Sequence, residues 1–266
     1  MRHALISGLV GFWSRPFLAL QGVFFLKHEK PNVDYKKWLG PDWKPNYDGA
    51  GIYVANHQCP TDILSNFILL SPKPAYVSKA GNKNIPGVGF VMKSMQCVFV
   101  ENRGAKGSKE AKIAVMKQIE EACEQAEKGV RAPVMIFPEG CSTNGKYVID
   151  FKRGAFQGLR PVKPICYKYW SLRGRINDGS GMNVWWYSIL LFHCIATGVT
   201  LNELPVFAPN DYFWENHWDG KEDKWKLYAN TIRKIIAEVG GLELHDATME
   251  GKMELKKWLK NKPTKK

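Results

Sequence analysis

Residues 51–62 read GIYVANHQCPTD, and the predicted fold depends on this stretch. Its first five residues are apolar and rich in side chains that favour extended backbone, which is typical of a buried strand. The residues that follow are polar and include His57 and Asp62. We therefore expect a strand that ends in a polar turn leading into a helix.

The same alternation of short strands and helices continues along the chain. Further apolar runs with β-forming residues occupy residues 75–78, 97–100, 134–137, 162–167 and 204–207. Residues 108–128 repeat apolar side chains at helical spacing before Gly129, and a second helical stripe runs from Trp225 to Val239 before Gly240. This order predicts an α/β fold with a mixed, largely parallel sheet flanked by helices.

The first thirty residues differ from the rest of the chain. Residues 4–26 are the most apolar stretch, but Arg15 and Pro16 interrupt it. A charge at the bilayer centre is unfavourable and proline breaks helices, so we expect two short helices that enter one leaflet. The predicted organisation is a membrane-associating helical segment (1–30), a catalytic-sized domain (31–250) and a lysine-rich tail (251–266).

A second apolar run covers residues 185–199. Fifteen residues are too few to cross a bilayer, so the run predicts a buried core element. An interfacial helix is the alternative.

Charge and cysteine content narrow the class of partner. The chain has 38 Lys and Arg against 25 Asp and Glu, a net charge of +13. Such a balance favours a polyanion, and basic ends beside apolar segments suit an anionic membrane better than nucleic acid. A tail that only aids solubility is the alternative. The six cysteines are spread singly, which predicts neither a metal site nor a disulfide framework and suggests a reducing compartment.

His57 and Asp62 are the first candidate for chemistry. If the turn folds back, the carboxylate can orient the imidazole, which then accepts a proton from a hydroxyl. A histidine near an aspartate is often only structural, so the pair alone leaves both interpretations open.

A second polar turn follows the strand predicted at residues 134–137. Residues 137–145 read FPEGCSTNG, and backbone N–H groups in such a glycine-rich turn can bind a phosphate. An ordinary connection between strand and loop is the alternative.

Together the two turns resemble the glycerophospholipid acyltransferase family. The signature is Asn-His, four residues, Asp, followed some eighty residues later by Phe-Pro-Glu-Gly and Thr-Asn. The stretches MIFPEGCSTNG (135–145), FKRGAF (151–156) and VKPICYKY (162–169) look most like the lysophosphatidylcholine and lysophosphatidylethanolamine acyltransferase branch. The resemblance covers roughly residues 45–250.

This resemblance implies a direct acyl transfer at a membrane. His57 would be the general base on the free hydroxyl of a lysophospholipid, Asp62 its orienting partner, and acyl-CoA a co-substrate, with no cofactor and no metal. The implied partners are membrane phospholipids and lysophospholipids rather than nucleic acid. The endoplasmic reticulum is the default location, and a mitochondrial membrane is the alternative.

The remaining site residues also come from the resemblance. Glu139 and Gly140, with Thr143 nearby, would hold the acceptor phosphate, and Pro164 would shape the acyl-donor site. Arg103 would also bind the phosphate, although it stands one position later than the family pattern places it. A bulge would re-aim its side chain; otherwise that contact is lost. The alternative to an enzyme is a non-catalytic or dual-role subunit of a larger membrane complex.

Overall fold

The computed structural model describes residues 2–86, 88–100, 109–173 and 184–261. The helices are α1 (Arg2–Leu20), α2 (Lys36–Leu39), α3 (Thr61–Leu69), α4 (Val88–Ser94), α5 (Lys109–Glu127), α6 (Val184–Leu191), α7 (Asp211–His217), α8 (Lys224–Gly240) and α9 (Met249–Asn261). The strands are β1 (Val23–Glu29), β2 (Ile52–Ala55), β3 (Ala75–Lys79), β4 (Val98–Val100), β5 (Val134–Ile136), β6 (Tyr147–Val148), β7 (Val162–Arg173), β8 (Ile195–Glu203) and β9 (Glu243–Leu244).

The main sheet of the described residues has seven strands in the order β1–β8–β7–β2–β5–β3–β4. The strands from β7 to β4 run parallel to one another. Strand β8 is antiparallel to β7, and β1 is parallel to β8. The predicted mixed, largely parallel sheet flanked by helices is therefore confirmed.

Both faces of the sheet are covered, as a parallel sheet requires. Ile52 and Val54 of β2 point into a core shared with α5 and α8. Tyr53 and Ala55 point to the other face, where the core includes side chains of α1 and α3. This alternation along β2 explains why its sequence is apolar at every position.

Helix α1 corrects the prediction of two short helices. It continues through Arg15 and Pro16 as one helix. Its buried side chains lie on both sides of the proline, and Gly11 allows contact with the backbone of Phe67 in α3. Packing on α3 therefore holds together two halves that Pro16 would separate in an isolated helix.

The helical part of the N-terminal segment ends at Leu20. Gly22 adopts a φ of 73°, and residues 23–29 form β1 at one edge of the sheet. Part of the segment predicted to be helical over 1–30 thus belongs to the sheet, because its run of Val and Phe suits a strand paired with β8.

The second apolar run divides into two elements. Its first half is α6, with several exposed apolar side chains, and its second half is the largely buried strand β8. The prediction of one buried element is correct only for β8. The predicted strand at 204–207 is also wrong, because β8 ends at Glu203 and only a single bridge pairs Phe207 with Val162.

The lysine-rich C-terminus contains a helix, α9, which begins two residues before the predicted tail. Across the described part of the chain, every helix is too short or too polar to cross a membrane.

Candidate active site

The two polar turns meet because their strands are neighbours. Strands β2 and β5 pair in parallel, with Ile52 opposite Val134 and Val54 opposite Ile136. Their carboxyl ends therefore lie at the same edge of the sheet, where α/β proteins commonly bind ligands. The turn of His57 follows β2, and the turn of Glu139 follows β5.

His57 and Asp62 form a hydrogen-bonded pair. The distance from His57 Nδ1 to Asp62 Oδ2 is 2.8 Å. Since a carboxylate only accepts hydrogen bonds, Nδ1 carries the proton and Nε2 is left as the acceptor of the ring. The imidazole is 21% exposed and the carboxylate is fully buried. The arrangement suits a base that faces a substrate and is oriented from behind.

Asp62 accepts further hydrogen bonds at both of its carboxylate oxygens. Its Oδ2 also accepts the backbone N–H groups of Gln58 at 2.7 Å and Cys59 at 3.2 Å. Its Oδ1 accepts the hydroxyl of Tyr169 at 2.6 Å. These bonds stabilise the buried negative charge of Asp62. The dipole of α3 stabilises it as well, because Asp62 lies in the first turn of that helix. Asp62 is thus held rigidly as the partner of His57.

Tyr169 is a site residue that the sequence reasoning missed. It lies on β7, and its hydroxyl is also 3.2 Å from the Thr61 hydroxyl. Its pKa is raised mainly by burial and also by the nearby Asp62 charge, so it remains a neutral donor. The signal in the sequence was the pair Tyr167 and Tyr169, which a strand directs to one face.

The imidazole plane is set by an aromatic neighbour. The His57 ring stacks on Phe137, with centroids 4.3 Å apart and planes inclined by 25°. Phe137 is the first residue after β5, so the second turn contacts the base through its side chain. Stacking and the bond to Asp62 together restrict both torsions of the His57 side chain.

Glu139 joins the two turns through its carboxyl group. Oε1 accepts the backbone N–H of His57 at 2.7 Å, and Oε2 accepts that of Ile149 at 3.2 Å. The side chain is fully buried. Burial raises its pKa to about 8, although the two N–H bonds oppose this shift. Glu139 therefore positions the backbone of the base, and its predicted contact with substrate remains a prediction.

Thr143 completes this connection from the other side. Its backbone N–H donates to the His57 carbonyl oxygen at 2.8 Å, and its hydroxyl reaches the same oxygen at 3.3 Å. Glu139 and Thr143 therefore hold the N–H and the C=O of His57, which fixes the base to the glycine-rich turn.

The other predicted site residues are placed less directly. Gly140 is exposed in the turn with a φ of 70°, a conformation that favours glycine. Pro164 is buried within β7 opposite Val54, below the level of the turns. Arg103 lies outside the described residues, and so does the bulge predicted to re-aim it.

A lysine far along the chain reaches the same turn. Lys252 of α9 donates from Nζ to the carbonyl oxygen of Ser142. Its positive charge also acts to lower the pKa of Glu139. No spacing in the sequence connects positions 142 and 252, so this contact could not be predicted.

The environment of Cys59 does not favour a nucleophile. Cys59 is fully buried, and desolvation, with the nearby Asp62 charge, raises the pKa of its thiol well above the usual value. A thiol of this kind stays protonated, and it donates to Asp62 Oδ1 at 3.5 Å.

Comparisons with known proteins identify a family for this chain. A sequence model of the acyltransferase family matches residues 31–168, just over half of the chain. The chain is 34% identical over 206 residues to lysophospholipid acyltransferase LPEAT1 of Arabidopsis thaliana, covering 76% of this chain and 48% of that protein. It is 30% identical over 208 residues to human lysophosphatidylcholine acyltransferase 1, covering 76% of this chain and 35% of that protein.

A solved structure shares the fold. The 1-acyl-sn-glycerophosphate acyltransferase PlsC of Thermotoga maritima matches with a TM-score of 0.52 and 16% identity, covering 88% of this chain and 78% of that one. The chain spans about half of LPEAT1 and about a third of the human relative. From the family match over residues 31–168, we conclude that the chain belongs to the acyltransferase family.

Proposed function

We propose that this protein transfers a fatty acyl group from acyl-CoA to the free hydroxyl of a lysophospholipid, with His57 as general base and Asp62 as its orienting partner. The 2.8 Å bond from His57 Nδ1 to the buried Asp62 carboxylate carries the proposal, because it leaves Nε2 as the proton acceptor. The names of the relatives, which are lysophospholipid acyltransferases, support the choice of acceptor.

In the proposed reaction, the acyl group passes directly from the thioester to the acceptor hydroxyl. His57 Nε2 takes the proton of the acceptor hydroxyl while its oxygen attacks the thioester carbonyl carbon. A C–O bond forms, the C–S bond breaks, and the imidazolium returns its proton to the leaving thiolate. Asp62 stabilises the imidazolium, as the carboxylate of a Ser-His-Asp triad does, with the substrate hydroxyl in the place of serine. No acyl-enzyme is formed.

The glycine-rich turn is the proposed site for the acceptor phosphate. Gly140 is exposed there, and Lys252 brings a positive charge to the carbonyl of the neighbouring Ser142. Glu139 joins this turn to the base through its bond to the His57 N–H, and its predicted contact with the phosphate stays a prediction. A phosphate bound at the turn would therefore lie next to the residue that activates the hydroxyl.

Helix α1 is the proposed membrane anchor. Beside the buried Leu18, it buries the small or polar residues Ser7 and Ser14, whereas Phe12 and Trp13 are exposed. A helix that faces water shows the reverse pattern. An outer face of large apolar side chains suits the interfacial region of a bilayer. The location at an intracellular membrane, by default the endoplasmic reticulum, is part of this proposal.

The test is transfer of a labelled acyl group from acyl-CoA to a panel of lysophospholipids. We expect His57→Ala to lower kcat/KM by a factor of about 10² to 10⁴, the usual contribution of a general base. His217→Ala is the matched control, since His217 contacts the Lys37 carbonyl and Trp38 on the α2–α7 side. Undiminished transfer by His57→Ala would refute the mechanism.

The alternative of a non-catalytic subunit has a distinct outcome in the same assay. A folded wild-type preparation that transfers no acyl group to any lysophospholipid would favour it. The hydrogen-bonded His57–Asp62 pair supports the enzyme, because a scaffold does not require a histidine with this orientation.

A further inference from the structure

Helix α6 exposes apolar side chains at the carboxyl end of the sheet. Trp186 is 66% exposed, and Ile189 and Leu190 are each almost half exposed. Leu191 and Cys194 are buried on the core shared with α1 and α3, so they fix the helix to the sheet. The exposed side chains are thus held in place by the fold, and they are large and apolar enough to insert into lipid.

Three strand side chains are exposed at the same end of the sheet. Phe25 of β1 and Trp170 of β7 are paired with Gly198 of β8 between them, and their rings lie 5.4 Å apart. A side chain at Gly198 would collide with the Trp170 indole, so the glycine makes room for it. Leu172, two residues further along β7, is 77% exposed.

These six side chains, which we call the apolar platform, lie at the carboxyl end of the sheet, on both of its faces. The members are Trp186, Ile189 and Leu190 of α6 with Phe25, Trp170 and Leu172 of the sheet. Gly22, after α1, accepts the backbone N–H of Thr197 at 2.7 Å and lies against the Cys194 carbonyl. Leu191 and Cys194 place the α6 members on the face of the sheet that α1 covers, whereas Phe25, Trp170 and Leu172 lie on the opposite face at the same end of the sheet.

Positive charge borders the platform. Lys27 and Lys168 occupy the next row of the sheet, on either side of Thr200, and both are exposed. Lys27 pairs with Glu29 at 2.5 Å, on the side away from the platform. Aromatic and aliphatic side chains with lysines behind them match the boundary between lipid tails and anionic headgroups.

We propose that the apolar platform is a second membrane-contact surface, independent of the α1 anchor, which enters an anionic lipid monolayer. A second copy of the chain is a poorer occupant, because two-fold pairing of this surface would bring its lysines near their own copies. Lipid headgroups instead offer negative charge at the depth of the lysines.

This surface would set the height of the active site above the lipid. Strand β7 carries Tyr169, which contacts Asp62, and then continues to Leu172. At about 3.3 Å per residue, Leu172 lies about 10 Å beyond Tyr169 along the strand. Resting on the proposed acyl transfer, this spacing would let a lysophospholipid reach His57 with its acyl chain still in the monolayer.

The experiment is flotation of the full-length protein with phosphatidylcholine vesicles that contain or lack phosphatidylserine. We expect Leu190→Glu and Trp186→Ser each to reduce the bound fraction about tenfold, in proportion to the apolar side chain withdrawn from lipid. Val130→Glu is the control, because Val130 is 71% exposed but precedes β5, at the amino end of the parallel strands and opposite to the platform. Lys27→Gln with Lys168→Gln should remove the preference for phosphatidylserine.

The outcomes separate this surface from the proposed function. Circular dichroism checks that each variant is folded. Unchanged flotation of two folded platform variants would overturn the proposal, as would a lipid-free dimer that Leu190→Glu dissociates. Transfer to a water-soluble short-chain lysophospholipid should persist in the platform variants and fall only with vesicle-borne acceptor. A wild type that floats through the platform but transfers nothing would refute the enzyme and leave the surface intact.

Discussion

Replacing Asp62 by asparagine removes one negative charge but leaves room for the hydrogen bonds that the carboxylate makes. The amide oxygen can take the place of Oδ2, which accepts from His57 Nδ1, Gln58 N–H and Cys59 N–H. The amide NH₂ then occupies the place of Oδ1 and donates to the Tyr169 hydroxyl, which can accept. We therefore expect the imidazole to keep its tautomer, so the variant measures the charge alone.

The magnitude follows from the geometry. With a bond of 2.8 Å between His57 and Asp62, the two charges lie about 4 Å apart. At an effective dielectric constant of about 20, that separation gives an attraction of about 4 kcal/mol. A transition state with half of the proton transferred would lose about 2 kcal/mol, and full transfer would lose all of it. The expected fall in kcat/KM is about 30-fold to 1000-fold.

Initial rates of acyl transfer from labelled acyl-CoA, beside wild type and His57→Ala, provide the assay. Asp219→Asn changes an exposed carboxylate in the loop before α8 and serves as the matched control. A kcat/KM within threefold of wild type would show that the Asp62 charge does not act on the reaction. A fall well beyond ~1000-fold in a folded variant would show that the tautomer is not retained.

Three further changes test the surroundings of the base. Tyr169→Phe removes the 2.6 Å bond to Asp62 but leaves its charge, so kcat should fall only about three- to tenfold, and the midpoint of urea unfolding should fall with it. Lys252→Gln should raise the KM for lysophospholipid about fivefold with kcat unchanged, whereas Lys257→Gln in the same helix should not; equal effects would exclude Lys252 from the phosphate site. Since burial raises the Glu139 pKa from 4.5 to about 8, the native state binds a proton that the unfolded state releases, and stability should fall by about 1.4 kcal/mol per pH unit between those values. The free energy of unfolding, measured with urea at pH 5.5 and 7.5, should fall with this slope in wild type. Glu139→Gln should lose this contribution to the slope, and equal slopes in the two proteins would contradict a buried proton on Glu139.

The parts of this fold that could be predicted are those with local causes. Residues 52–55 and 134–136 form strands because every side chain there is buried in one of two cores. The helices α5 and α8 follow apolar stripes and stop at glycines, and Gly241 adopts the left-handed conformation that such a stop requires. His57 and Asp62 could be paired because only five positions separate them.

The parts that could not be predicted depend on contacts between distant segments. Tyr169 meets Asp62 only because β7 extends several residues beyond the predicted strand. Helix α1 continues through Pro16 because it packs against α3. Residues 23–29 form a strand because they pair with β8 at the edge of the sheet. A consequence is that deleting residues 1–30 would remove a strand of the sheet as well as the proposed anchor. Deleting residues 2–20 would keep that strand but would uncover the core that α1 shares with α3.

The bonds that orient His57 also determine when during folding a working base can exist. Glu139 is 82 positions from His57, and Tyr169 is 107 positions from Asp62. Contacts across such separations close large loops and form late, after the entropy of closing those loops has been overcome. A partly folded chain, including one still emerging from the ribosome, therefore has a histidine but no oriented base. The proposed acyl transfer would thereby be confined to molecules in which the central strands have already assembled.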